Sequence, residues 1–173
     1  MEAIGNPSIG RLFFSRFDHV FDDKGRLTLP VQHRDQLRAS QFADRVFLGH
    51  QPGLKKVSLY PAEYWLELQQ LWQDERRFPS TQIMQEAQRM FFANIEPTTV
   101  DRLGRVQISA GMRDRAGLGK AVTVAGVGRH LQIWDPQALE EQDRLAQTLV
   151  AGAAQAEAGR HGAFPEALRL PPW

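Results

Sequence analysis

Residues 21–29 read FDDKGRLTL, and residues 100–108 read VDRLGRVQI. Asp, Gly and Arg recur at identical places in these two stretches, which lie 79 positions apart, and apolar residues recur at alternate places. The match continues at further pairs of equivalent residues: Arg34-Asp35 with Arg113-Asp114 and, after a short gap, Leu59-Tyr60 with Ile133-Trp134. Such a repeat indicates that one supersecondary unit is present twice, over 20–75 and 99–150.

The first stretch has the pattern of a β-hairpin. Asp22 and Gly25 stand first and fourth in Asp-Asp-Lys-Gly, which is the preferred chemistry of a type I turn. Apolar residues alternate with polar ones on both sides of the turn, as in half-buried strands. The tip of this hairpin would carry Lys24. Residues 101–104 predict the same turn in the second copy.

Further strands and short helices complete each copy. Pro30 ends the first hairpin and can begin a short helix, and Ser109 can cap its counterpart, which stops at Gly117. Other strands are predicted at 46–48, 57–60, 122–124 and 131–134, and other helices after Pro61, over 81–94 and from Asp135-Pro136. We therefore expect an α+β chain with an N-terminal extension (1–11), a first repeat unit (12–75), a helical connector (76–97), a second unit (98–150) and a flexible tail (151–173).

Composition limits the class of protein. The 173 residues are 42% hydrophobic and 24% charged, which is typical of a soluble globular chain. The absence of cysteine excludes disulfides and thiolate metal sites and fits a reducing cytoplasm. The apolar runs are shorter than the roughly 20 residues of a membrane helix, and the N-terminus does not read as a secretory signal. A net charge of +1 means that any nucleic-acid site must be a local patch.

Patterns of catalytic chemistry are missing from the sequence. The five histidines have no metal-ligand spacing, and no nucleophile elbow or phosphate-binding loop is present. The run Gly126-Val127-Gly128 lacks the third glycine of a dinucleotide fingerprint and predicts a hairpin turn, whereas Glu140-Glu141 fits a solvated helix face. We expect no enzyme, no catalytic residue, no metal, no cofactor and no small-molecule substrate.

The distinctive feature is Asp-x-x-x-Arg, which occurs once in each turn. For one copy alone, the better interpretation is structural: the aspartate caps the turn and the arginine pairs with it at the surface. An exposed ion pair contributes only about 0–1 kcal/mol, so stability is a weak reason for keeping both ions twice. Alternatively, the turns present arginine to bases in the DNA major groove, the aspartates orient the arginines, and nearby basic residues meet phosphates. This hypothesis assigns six DNA-binding residues: Asp22, Lys24, Arg26, Asp101, Arg102 and Arg105.

Local charge favours the nucleic-acid interpretation. Residues 101–120 carry five basic and two acidic side chains, and residues 11–38 carry six basic and four acidic ones. One side of the protein would then be basic. The apolar stripe of Tyr64, Trp65, Leu68 and Trp72 indicates packing rather than a stacking platform for single-stranded bases.

Taken together, these motifs resemble the MraZ family of bacterial transcriptional regulators. The residues that carry the resemblance are 22–30, Leu59-Tyr60-Pro61 with Trp65, 89–93, 101–105, Arg113, 116–118, Val127-Gly128 and Ile133-Trp134. The resemblance implies tandem swapped-hairpin units of the SpoVT-AbrB type that bind double-stranded DNA through Asp22, Arg26, Asp101 and Arg105. It also implies ring-like homo-oligomers and repeated short sites in the promoter of a division and cell-wall gene cluster, and hence a cytoplasmic, nucleoid-associated protein.

Two other functions remain open at this point. The same unit serves as a protein-interaction module of the antitoxin type, which would hold a partner protein through the apolar stripes or the tail. A small hydrolase using Asp or Glu would need a pocket with perturbed carboxylates, to which nothing in the sequence points.

Overall fold

Eight strands and five helices form the part of the chain that the computed structural model describes, which is residues 12–39, 42, 44–74 and 81–158. In chain order they are β1 (Arg16–Val20), β2 (Arg26–Thr28), α1 (Val31–Arg38), β3 (Arg45–His50), β4 (Lys56–Pro61), α2 (Ala62–Gln73), α3 (Gln82–Phe92), β5 (Ile95–Thr99), β6 (Arg105–Gln107), α4 (Ala110–Arg115), β7 (Ala121–Gly126), β8 (Leu131–Trp134) and α5 (Pro136–Ala158). The α+β class predicted from the sequence is confirmed. The chain divides into two compact units between Pro136 and Gln137, so the second unit begins one residue into α5.

The repeat seen in the sequence is a repeat of structure. Strands β1 to β4 and helices α1 and α2 have counterparts, in the same order, in β5 to β8, α4 and α5. Helix α3 connects the two copies and has no counterpart among the helices of the described residues. Its N-cap is Thr81, whose side-chain oxygen accepts a hydrogen bond from the amide of Met84 at 3.2 Å. Ser109 caps α4 in the same way, as predicted, by accepting from the amide of Met112 at 3.1 Å.

The two copies are interleaved rather than placed side by side. The large sheet is antiparallel, with strand order β1-β7-β8-β4-β3-β5. Strand β1 of the first copy pairs with β7 of the second, and β5 of the second pairs with β3 of the first. If each strand is replaced by its counterpart in the other copy, the same order is obtained when the sheet is read from its opposite edge. This exchange is the swapped-hairpin arrangement that the resemblance implied.

A second, two-stranded sheet joins the hairpins of the two copies. In this ribbon, β2 and β6 are antiparallel, and Leu27 lies opposite Val106, its own counterpart in the repeat. Both of these side chains are fully buried. Because side chains alternate along a strand, the neighbouring residues point to the opposite, outward face: Arg26, Thr28, Arg105 and Gln107.

The core draws on both copies and is almost entirely apolar. One exception is His33 of α1, which is 1% exposed and has no hydrogen-bond partner on either ring nitrogen among the described residues. Its ring lies 5.8 Å from that of Phe13 and 5.3 Å from that of Phe17. Loss of solvation, together with nearby His19, lowers the pKa of His33 to about 4. At the equivalent place in the second copy stands Met112, which is also buried.

The aromatic stripe on α2 is packing, as predicted. Tyr64 and Trp65 are buried, and Trp65 stacks on Phe47 of β3 with ring centroids 4.9 Å apart. Trp72 stacks on Phe91 of α3 at 5.5 Å. These contacts fix α3 against α2.

A short N-terminal stretch crosses the end of the β7–β8 hairpin. Phe13 exchanges backbone hydrogen bonds with Gly128 at 2.6 and 2.9 Å, and the amide of Gly126 donates to the carbonyl of Ser15 at 2.9 Å. A Cβ at Gly126 would overlap the backbone of Phe13 and Phe14, so only glycine fits there. The run Gly126-Val127-Gly128 thus belongs to a hairpin, as predicted.

Two element boundaries differ from the prediction. Strand β5 begins at Ile95, inside the predicted connector, and contains Pro97, which is tolerated because β5 is an edge strand. Helix α5 continues to Ala158 instead of giving way to a tail at 151, since the alanine-rich run favours helix. The predicted extension (1–11) and the rest of the predicted tail (159–173) lie outside the described residues. The division into repeat units at 75 and 98 stays a prediction.

Candidate nucleic-acid interface

The first hairpin turn, residues 22–25, is closed by Asp22. Its carbonyl accepts a hydrogen bond from the amide of Gly25 at 2.9 Å, and Gly25 has a φ of 73°. The carboxylate oxygen Oδ1 accepts from the backbone amides of Lys24 at 3.0 Å and Arg26 at 2.9 Å. The other oxygen, Oδ2, accepts from Nε and Nη2 of Arg26, both at 2.7 Å. One carboxylate therefore fixes both the turn and the guanidinium that follows it.

The second turn, residues 101–104, repeats this geometry. Oδ1 of Asp101 accepts from the amides of Leu103 and Arg105, both at 2.9 Å. Oδ2 accepts from Nε and Nη2 of Arg105, both at 2.7 Å. Gly104 closes the turn with a φ of 79°. The Asp-x-x-x-Arg spacing is thus a local device in which the aspartate holds the arginine side chain in one orientation.

Hydrogen bonds to the charged form lower the pKa of both aspartates below the ordinary value. For Asp22 the largest cause is the backbone amide of Arg26, and for Asp101 it is the hydrogen bond from the Arg105 side chain. Both carboxylates are charged at neutral pH. The two arginines are consequently oriented hydrogen-bond donors whose charge is already balanced.

The ribbon places the two arginines on one surface. Arg26 lies opposite Gln107 and Arg105 opposite Thr28, so the arginines are on adjacent strands and offset by two residues. At about 3.4 Å per residue this offset is about 7 Å along the strands. Their side chains are 29% and 28% exposed. The two turns therefore flank a single outward face.

An arginine from each short helix covers the turn of the other copy. A Cβ at Gly25 would lie 2.7 Å from Nη2 of Arg113 on α4, and a Cβ at Gly104 would overlap the side chain of Arg34 on α1. Glycine is favoured at both places because of its positive φ, and any larger residue would also force the covering arginine side chain to shift. These contacts tie each hairpin to the opposite copy.

Of the two arginines that cover the turns, Arg113 has its positive charge less well balanced by neighbouring carboxylates. Its guanidinium lies 5.3 Å above the ring of Phe21, and its Nε is buried with no hydrogen-bond partner within 12–39, 42, 44–74 and 81–158. No carboxylate of the described residues forms an ion pair with Arg113, whereas Arg34 pairs with Asp35 at 3.1 Å. A half-buried cation without a counter-ion is suited to binding an anion.

No group of three histidine or acidic side chains in the described part of the chain could hold a metal ion. None of the helices that the structure describes is long and apolar enough to cross a membrane.

Several known proteins are similar in sequence to this chain over most of its length. A family described as "MraZ protein, putative antitoxin-like" matches residues 90–158. "Transcriptional regulator MraZ" of Roseiflexus sp. (strain RS-1) is 34% identical over 130 residues, which cover 73% of this chain and 82% of that protein. The protein of the same name from Anaeromyxobacter sp. (strain Fw109-5) is 33% identical over 131 residues, covering 76% and 88%. The chain belongs to the MraZ family.

Family membership settles the general class of function. MraZ proteins are transcriptional regulators, and this chain is therefore a transcriptional regulator and not an enzyme. The resemblance inferred from the sequence is confirmed, as is the fold class that it implied. The similarity covers 82% of the Roseiflexus regulator and 88% of the Anaeromyxobacter regulator. This chain therefore corresponds to most of the length of these relatives.

In this MraZ chain, all six residues predicted to bind DNA lie in the two turns or directly after them. The structure brings together the two Asp–Arg pairs in equivalent places, but it does not make Lys24 and Arg102 equivalent. The counterpart of Lys24 is Leu103, and the counterpart of Arg102 is Asp23, which pairs with Lys120 at 3.7 Å. Lys24 and Arg102 are both exposed. The two tips of the MraZ repeat therefore differ in chemistry.

Four residues of this surface were not assigned from the sequence. Thr28 and Gln107 share the outward face with the arginines, and Nε2 of Gln107 donates to the carbonyl of Lys24 at 2.9 Å. Arg34 and Arg113 cover the turns. The sequence did contain a signal for Arg34 and Arg113, because they recur at the same 79-residue offset as the turns. Thr28 and Gln107 are recognised from the pairing of β2 with β6. Sequence periodicity alone does not specify that these two strands pair.

Proposed function

We propose that the chain binds double-stranded DNA by placing the β2–β6 ribbon and its two turns in the major groove. The observation that carries this proposal is the duplicated Asp–Arg pair on one outward face of a two-stranded ribbon. Such a ribbon fits the major groove, where each base pair presents a distinct set of donors and acceptors. A sequence-specific regulator needs that access.

The aspartates leave the arginines able to read a base. A guanidinium has five N–H donors, and Asp22 accepts one from Nε and one from Nη2 of Arg26. Three donors remain, and those on Nη1 and Nη2 at the far edge can form a fork towards O6 and N7 of guanine. Arg105 has the same donors left over, because Asp101 accepts from the same atoms.

Phosphate contacts would come from basic residues around this face. Lys24 and Arg102 are exposed at the tips of the turns, and Arg113 offers a cation without a carboxylate partner among the described residues. Phosphate contacts position a protein on the duplex, and base contacts specify the sequence. The balanced Asp–Arg pairs and the unbalanced Arg113 fit these two roles.

The wider function follows from how little one ribbon can contact. Several chains that bind spaced DNA repeats together would bind far more tightly than one chain. We therefore propose a homo-oligomer, with a ring-like arrangement, that binds repeated short sites in the promoter of a division and cell-wall gene cluster. Such a protein would act in the cytoplasm in association with the nucleoid.

The test is binding to a labelled duplex taken from directly upstream of the chain's own reading frame. Fluorescence anisotropy is measured over a series of salt concentrations for the wild type and for Arg26→Ala with Arg105→Ala. Because a bidentate base contact contributes about 1–3 kcal/mol, each substitution should weaken binding roughly 5- to 150-fold. Affinity of the wild type should fall steeply with salt, since phosphate neutralisation releases counter-ions.

A matched control removes an arginine from another exposed ion pair. Arg89 on α3 pairs with Glu86 at 2.7 Å and is 67% exposed. Arg89→Ala should bind DNA like the wild type, and circular dichroism should show all variants folded. Equal binding by the double variant, or no binding by the wild type at low salt, would refute the proposal.

A second candidate function rests on the family description, which includes the term antitoxin-like. An antitoxin would neutralise the product of a neighbouring gene. Deleting the chain's gene should then arrest growth only in cells that retain that neighbour. Growth that does not depend on the neighbour would exclude this function and leave DNA binding as the activity.

A further inference from the structure

The tip of the second turn exposes a leucine. Leu103 is 62% exposed, between Arg102 and Gly104. Its backbone amide donates to Oδ1 of Asp101 at 2.9 Å, as the amide of Lys24 donates to Oδ1 of Asp22 at 3.0 Å. The two residues thus occupy the same place in equivalent turns, held by the same hydrogen bond. One tip carries a cation there and the other an apolar group.

The chemistry of the major groove offers one apolar feature at the base edges, which is the 5-methyl group of thymine. A lysine at the same place would instead meet hydrogen-bond acceptors or phosphate oxygens. A branched aliphatic side chain at the tip can cover a methyl group and cannot satisfy an acceptor. Leu103 therefore suits an A·T pair, whereas Lys24 suits acceptors.

We propose that Leu103 is a specificity-determining residue that packs against the 5-methyl group of a thymine. This inference rests on the proposed binding of the two turns in the major groove. It follows that the two turns of one chain select different base pairs although their Asp–Arg pairs are alike. The site contacted by one chain would then lack two-fold symmetry, despite the symmetry of the fold.

The experiment uses the upstream duplex in two forms, one synthesised with thymidine and one with deoxyuridine, which lacks the methyl group. Burial of a methyl-sized group corresponds to about a fourfold change in affinity for each Leu103 in contact. The full-length wild type should bind the deoxyuridine duplex weaker by at least that factor. Leu103→Ala should bind the thymidine duplex more weakly than the wild type and discriminate less between the two duplexes.

Two further variants complete the comparison. Leu103→Lys copies the first turn and should also discriminate less between the two duplexes, with a steeper salt dependence. Val127→Ala shortens another exposed apolar side chain, in the β7–β8 loop and 41% exposed, and should discriminate between the duplexes like the wild type. Equal binding of both duplexes by the wild type, or undiminished discrimination by Leu103→Ala, would overturn the role of Leu103 while leaving DNA binding in place. Binding to neither duplex would overturn DNA binding itself, and this inference with it.

Discussion

Replacing His33 by methionine should stabilise the protein. The ring of His33 is 1% exposed, and neither of its nitrogens has a hydrogen-bond partner in the part of the chain that the structure describes. A buried polar group left unsatisfied costs about 1–3 kcal/mol. The second copy already has methionine at this place, where Met112 is fully buried. The two side chains are similar in volume, so His33→Met should raise the free energy of unfolding at pH 7.5 by about 1–3 kcal/mol without overpacking the core.

The advantage of His33→Met should grow as the pH falls. The folded protein holds the pKa of His33 at about 4, against 6.5 for an unperturbed histidine. Between these values the unfolded chain binds a proton that the folded chain does not, so the wild type loses stability as the pH falls from 6.5 towards 4. At pH 5 this loss amounts to about 2 kcal/mol. Burial also lowers the pKa of His130 to about 4, so the variant should keep part of the slope.

Urea unfolding at pH 7.5, 6 and 5, followed by far-UV circular dichroism, measures both effects. The comparison of interest is the difference in unfolding free energy between wild type and His33→Met at each pH. A variant that is less stable at pH 7.5 would mean that the imidazole is hydrogen-bonded in solution. A difference that stays constant from pH 7.5 to pH 5 would mean that the folded protein does not depress the pKa of His33. Either result refutes the reasoning.

Two other substitutions test the fold. Gly126→Ala should lower the melting temperature strongly, because the new Cβ would overlap the backbone of Phe14, whereas Gly119→Ala, with open space around it, should change it little in the same thermal scan. Ser109→Ala removes the side-chain oxygen that accepts the amide of Met112 at 3.1 Å, and it should cost about 1 kcal/mol in urea unfolding. An unchanged unfolding free energy for Ser109→Ala would show that solvent caps α4 as well as the hydroxyl does.

The sequence was most informative where the structure depends on near neighbours. The turn at 22–25 was predictable because Asp22, Gly25 and Arg26 interact within five consecutive positions. The capping of α4 by Ser109 was predictable for the same reason. The structural interpretation of the Asp-x-x-x-Arg motif is confirmed, since each aspartate caps its turn and pairs with the arginine that follows. The DNA-binding interpretation of the same residues stays a prediction.

Features that depend on distant partners were not readable from one sequence. Alternation of apolar residues predicts that β2 is a strand, but it does not specify that β6 is its partner. Consequently, Gln107 was not recognised as part of the same face as Arg26. The length of α5 was missed for a different reason, because glycine and alanine in the run after 150 were interpreted as a break in a segment that is helical.

The exchange of strands between the copies has a consequence for synthesis on the ribosome. Asp18 of β1 and Thr123 of β7 are joined by a 2.8 Å hydrogen bond across 105 positions of the chain. When β1 leaves the ribosome, the strand that it must pair with has not yet been translated. Neither copy forms the complete sheet alone. The first copy therefore keeps unpaired strand edges until β7 has been synthesised. The core therefore folds late. A chain truncated between the two copies would contain β1 and β3 without their partner strands β7 and β5.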